Sequence, residues 1–174
     1  MNEKRALLSH FLAALAYRTQ KALRDAPNDF GSFQPPCDVR SPKELVRHMT
    51  SVLGYARTYF VGGQYWPEPL PSLDDEIERF HAILKDLSSY LSSETVLRDG
   101  MTEEQLLQGP FSDAKTHAGQ LALLRRLAGD PVAPENFIVA DIQKSKLGPN
   151  QPEPTSPDAV WQEAPPGWTP PSKV

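Results

Sequence analysis

Four histidines, His10, His48, His81 and His117, are the side chains of this sequence best suited to ligate a metal or move a proton near neutral pH. One has a partner at a telling distance: Asp113 precedes His117 by four residues. On a helix that spacing puts both side chains on one face, about 6 Å apart at Cβ and within reach of one ion. The same spacing also serves as a plain helix-surface hydrogen bond, so two ligands do not define a site. His48 offers a third. At about 100° per residue it lies beside Leu45 and Val52 on the flank of one apolar stripe, while Asp113 and His117 flank another, next to Leu121 and Leu124. Metal centres in helical bundles are assembled from polar groups on facing helices in this way. Left buried without partners, such groups cost about 1–3 kcal/mol each. The alternative is that His48 and Asp113 simply hydrogen-bond to one another.

Several neighbours could support such a site. Gln120, on the same side as Asp113, could orient a ligand or a bound molecule, or serve as a structural hydrogen-bonding group. Tyr55, two turns beyond His48, could line a pocket or pack as a core aromatic. Glu44, one turn before His48, is either a fourth ligand or a helix cap. Gly119 reads as a close-packing position on the last helix. Arg125 and Arg126 suit an anionic substrate or the dipole of their own helix. His10 and His81 lack ligand-spaced partners and read as partly exposed or hydrogen-bonded side chains. Cys37 sits in a loop beside Asp38, which opposes thiolate formation, and reads as a bystander. No separate general base is identifiable.

The elements that must position these residues are helices. Residues 3–25 place Leu8, Phe11, Leu12, Leu15, Thr19, Ala22 and Leu23 on one stripe. Residues 26–40 break the pattern with Pro, Gly, Asp and Asn, and Phe30 and Phe33 are the expected anchors of that loop. Ser41-Pro42-Lys43-Glu44 is a helix start: a cap, a proline suited to the first position, and a glutamate that completes a capping box. The second helix runs from there until Gly62-Gly63. After a proline-rich loop containing Trp66, Leu73, Ile77, Phe80, Leu84, Leu87 and Leu91 recur at spacings of three and four, the clearest helix of the chain. Thr102 to Gln105 is a second capping box opening a short turn, and Pro110 restarts the last helix. That helix presents Ala114, His117, Ala118, Leu121, Leu124 and Ala128 before Gly129-Asp130-Pro131 stops it. Four long helices with no competing strand pattern predict an all-α four-helix bundle over residues 1–130. Ten prolines from Pro131 onward exclude another bundle helix, yet Phe137, Ile138, Val160, Trp161 and Trp168 are too many large apolar groups for a free tail. Residues 131–174 therefore read as an extended proline-rich C-terminal arm packed on the bundle or on a neighbouring subunit.

Composition narrows the function classes. A length of 174 residues fits one domain, and a net charge of −4 argues against binding to nucleic acid or to an anionic membrane surface. A small-molecule substrate is the better expectation. The single cysteine excludes an internal disulfide and fits a reducing, cytoplasmic setting. Lys4 and Arg5 before the apolar run 6–17 imitate a signal peptide, but His10 interrupts the run and the helical pattern continues through Arg24. No stretch approaches the ~20 apolar residues of a membrane span.

One segment is more specific than composition. Asp113-Ala-Lys-Thr-His117-Ala-Gly-Gln-Leu121, running on to Leu124-Arg-Arg-Leu-Ala-Gly129, resembles the last-helix motif of the DinB/YfiT superfamily, and residues 41–60 with His48 resemble its ligand-bearing second helix. Helix count and order agree over about the first 130 residues. The resemblance implies a bundle carrying a divalent metal, usually on three histidines, in proteins that include thiol-dependent transferases and isomerases and that are commonly homodimers. Here Asp113 stands where most members have histidine. A carboxylate is still a competent ligand for zinc or nickel, and equally for iron or manganese. It leaves a bound dication with one net positive charge rather than two, which makes bound water less acidic.

The expected function is thus a divalent-metal-dependent enzyme on His48, Asp113 and His117, with Gln120 and Tyr55 in support, acting on a small molecule as a hydrolase or a thiol-dependent transferase. The thiol version follows from the resemblance alone. The rival expectation is a non-catalytic bundle that binds a small ligand or partner in stress physiology, with the same trio as a structural or vacant cluster.

Overall fold

The computed structural model describes residues 2–36 and 38–155. Cys37, and Val160, Trp161 and Trp168 of the expected arm, lie outside the described residues. All regular structure among the described residues is helical: α1 (Glu3–Leu23), α2 (Pro42–Val61), α3 (Leu73–Ser92), the short α4 (Glu103–Leu106) and α5 (Ser112–Leu127). No helix among them is long and apolar enough to cross a membrane.

The helix starts are written in local chemistry. Ser41 accepts from the Glu44 amide while Glu44 accepts from the Ser41 amide, and Pro42 occupies the first turn of α2. Ser72 with Asp75 and Thr102 with Gln105 repeat the reciprocal cap at α3 and α4. Gly62, at φ 79°, ends α2 in a backbone region that favours glycine. Between α4 and α5 the chain does not simply restart at Pro110. Residues Leu107–Phe111 form a wide π-helical turn with a kink at Gly109 (φ −93°, ψ −106°), so α4 and α5 are joined by a bend.

The four long helices pack in ring order: α1 contacts α3 and α5, and α2 contacts the same two. Leu12, Leu15, Met49, Leu53, Phe80, Leu84, Leu87, Phe111 and Leu121 are fully enclosed at the centre. Each such side chain contributes about 1.5–3 kcal/mol by leaving water. Phe30, buried as anticipated, pins the loop after α1, and Phe33 packs partly against the same core.

Two expectations need correction. Arg125 is not available to an anionic substrate: it is buried, donates to the carbonyls of Ala22 (3.1 Å) and Arg24 (2.9 Å), and pairs with Asp130. It caps the carbonyl end of α1 while standing, as anticipated, in the last turn of its own helix. Gly119 is exposed, and a Cβ there would meet no heavy atom within 4 Å, so close packing does not require it.

Residues 131–155 contain one helical turn, Phe137–Val139, and touch the bundle through particular groups. Glu135 is buried, accepting from the Tyr17 hydroxyl (2.6 Å) and from Lys21 Nζ (2.8 Å). Leu147 enters the core, and its carbonyl accepts from Nδ1 of His81 (2.7 Å). His81 is thus fully buried and hydrogen-bonded through Nδ1, with Nε2 3.3 Å from the Gln20 side-chain amide. Burial, reinforced by the Lys85 charge and opposed by the Leu147 bond, holds its pKa down to about 4, so the ring is neutral.

Candidate metal centre

Neighbouring helices α2 and α5 bring His48, Asp113 and His117 together. One ligand atom from each lies within 4.8 Å of the others, and this is the cluster of its kind among the described residues. The imidazoles meet edge to face, with centroids 4.8 Å apart and planes at 73°. Asp113 Oδ1 stands 3.3 Å from Nε2 of His117. No hydrogen bond joins His48 to Asp113 among the described residues, so the simple pairing of those two side chains is not what holds them.

Whether these residues suit a cation can be judged from His117. Its Nδ1 lies 2.7 Å from Gln120 Oε1, an acceptor, so Nδ1 carries the proton and donates it. In the neutral ring Nε2 then bears the lone pair. That atom is buried and lacks a hydrogen-bond partner, because the approach of Asp113 is a contact without hydrogen-bond alignment. In that neutral form an orphaned acceptor faces a carboxylate, with a second imidazole alongside, an arrangement that a shared cation would relieve. The 3.3 Å edge also matches the roughly 3.3–3.5 Å expected between two ligands each about 2.0–2.1 Å from a tetrahedral ion. The donor set, two imidazoles and a carboxylate, could hold a divalent metal.

His48 is electrostatically ready for that role. Burial first, then the Arg40 charge and the neighbouring His117, hold its pKa below the ordinary histidine value, against the opposing pull of Asp113. A neutral ring is the ligating form.

The cluster opens into a cleft of about 880 Å³ between α2, the loop after it and the bend before α5. His48 and Asp113 lie on its wall with Val52, Tyr55, Tyr65, Trp66 and Pro110 among others. Tyr55 is half exposed, lines this space and meets the Tyr59 hydroxyl with its own, so it is a pocket residue rather than a packed aromatic. Glu44 is the cap: its carboxylate accepts from the Ser41 amide (2.8 Å) and hydroxyl (2.9 Å), and it is not part of the cluster. His10 is exposed on α1, and it and His81 are both outside the cluster. His117 and Gln120 border a second cleft of about 730 Å³, with Arg40 and Leu45.

Sequence reading passed over Tyr65 and Trp66 as cleft residues. A signal existed: two adjacent aromatics directly follow the Gly62-Gly63 stop in a loop stiffened by Pro67, Pro69 and Pro71. Tyr65 is seated on α2 because Gly54 is there; a Cβ on Gly54 would lie 1.9 Å from the Tyr65 ring. Compared with known proteins, the chain matches no family model, no curated protein and no solved structure.

Proposed function

We propose that the protein is a divalent-metal-dependent enzyme of the DinB/YfiT type, acting on a small molecule as a hydrolase or a thiol-dependent transferase. The observation that carries this reading is the unpartnered, buried Nε2 of His117 facing Asp113 and His48 at the head of an open cleft. His48, Asp113 and His117 would hold the ion, zinc or nickel in first place and iron or manganese next. When bound, such an ion supplies Lewis acidity, either to polarise a substrate oxygen or to activate water or a low-molecular-weight thiol.

The chain's own residues do the rest. Gln120, 2.7 Å from Nδ1 of His117, would orient that ring. Asp113 halves the formal charge the site presents, which favours release of an anionic product over an all-histidine set. Val52, Tyr55, Tyr65 and Trp66 supply apolar and aromatic wall on which a substrate can exclude water from the ligands. Three protein ligands would leave a bound ion able to take water or a substrate group, as in catalytic rather than structural metal sites. The thiol arm of the proposal and the expectation of a homodimer rest on the resemblance of the last-helix motif.

The test is elemental analysis of untagged protein, followed by a screen for thiol transfer to electrophiles and for hydrolysis. Stoichiometric metal that disappears in His48→Ala, with activity that disappears alongside it, is the expected result. Protein that takes up no divalent ion even after supplementation overturns the proposal in favour of a non-catalytic binding bundle.

A further inference from the structure

A separate cleft of about 450 Å³ opens on the α1 side of α5, between Arg18 and Lys21 of α1, Lys115 and Arg126 of α5, and residues 132–137. The metal cluster stands on the α2 side of the same helix. One carboxylate, Glu135, lines this cleft, and both of its oxygens are already engaged by Tyr17 and Lys21.

That leaves Arg18 and Lys115. The Arg18 guanidinium lies 3.8 Å from the centroid of Phe137, a stack that holds the fork flat while leaving its N–H edge usable. Lys115 Nζ is 3.4 Å from the Ala14 carbonyl and 5.8 Å from the Phe11 ring centroid, both neutral partners. Neither cation forms a close ion pair among the described residues, although the Glu135 charge acts on Arg18 across the cleft, on a chain whose net charge is −4. The α5 wall is cut low: Ala118, Gly119 and Ala122 line it, and nothing stands within 4 Å of a Cβ placed on Gly119. The open Gly119 position that packing does not explain is thereby the floor of a cationic cleft.

We propose that this cleft binds a small, multiply charged anion, a phosphate ester or a polycarboxylate, held by Arg18 and Lys115 beside the ring of Phe137. A cleft of this size holds a metabolite-sized ligand and not a polymer backbone. The site is independent of the metal centre and stands whether or not that centre is filled.

Calorimetric titration of the full chain with pyrophosphate and with citrate, at constant ionic strength, tests it. Saturable one-site binding of at least one of them is expected, weakened about tenfold in Arg18→Gln and in Lys115→Gln, each removing one charged hydrogen bond. Lys144→Gln, at an exposed position away from the cleft, leaves it unchanged. Tighter pyrophosphate assigns the phosphate class and tighter citrate the carboxylate class. Absence of saturable binding to both, or equal weakening by Lys144→Gln, overturns the proposal. Arg18 is exposed, so Arg18→Gln carries the test even where Lys115→Gln unfolds.

Discussion

Replacing Gln120 by leucine removes the acceptor that orients His117 without touching any ligand atom. The bond is 2.7 Å from Nδ1 of His117 to Oε1, and Gln120 is exposed, so the substitution costs little packing. Partners of this kind hold about 10–100-fold of metal affinity, or ~1.4–2.7 kcal/mol. Because Gln120 is neutral and solvent can reach Nδ1 once it is gone, the lower end applies: roughly tenfold weaker metal binding. Gln120→Glu works in the opposite direction, since a carboxylate acceptor makes the ring more basic and the bond stronger. The order of affinity is therefore Glu, then Gln, then Leu at this position. Competition for zinc between apoprotein and a fluorescent chelator at neutral pH reads it directly, with circular dichroism to confirm unchanged helix content. Leucine and glutamate variants that both bind zinc as the wild type does would refute the reasoning, because His117 would then not ligate through Nε2.

His81 makes folding pH-dependent. Its pKa is held at about 4 in the fold against about 6.5 in an unfolded chain, so the unfolded state binds the proton first. Its contribution is fully present above about pH 6.5 and is lost as pH falls toward 4, about 3 kcal/mol in all. Urea midpoints of the wild type should fall over that window more steeply than those of His81→Gln; parallel curves contradict the account. Gly54→Ala forces a methyl into the Tyr65 ring and should cost about 1–3 kcal/mol, recovered when Tyr65→Ala is added. An additive pair of losses in that double-mutant cycle means the ring is not seated on Gly54.

The features legible from residue order are local. Ser41 with Glu44 and Thr102 with Gln105 announce helix starts, because a cap is chemistry between residues three apart. The seam of α3 and the shared face of Asp113 and His117 follow from helical period alone. The convergence of His48 with that pair was legible as a possibility of two flanking stripes, since both ligand-bearing faces border apolar surface that must be buried.

Which helices are neighbours, and with that most of the site, depends on long-range packing. That α2 lies against α5, so that two imidazoles meet at 4.8 Å, depends on contacts far apart in sequence. Arg125 gave no sign of burial, because the carbonyls of Ala22 and Arg24 that hold it belong to α1. His81 found its partner in Leu147, 66 residues away. Helical periodicity fixes which face a side chain occupies, whereas the partner across that face is set by packing, and ligation, like burial, is a property of the pair.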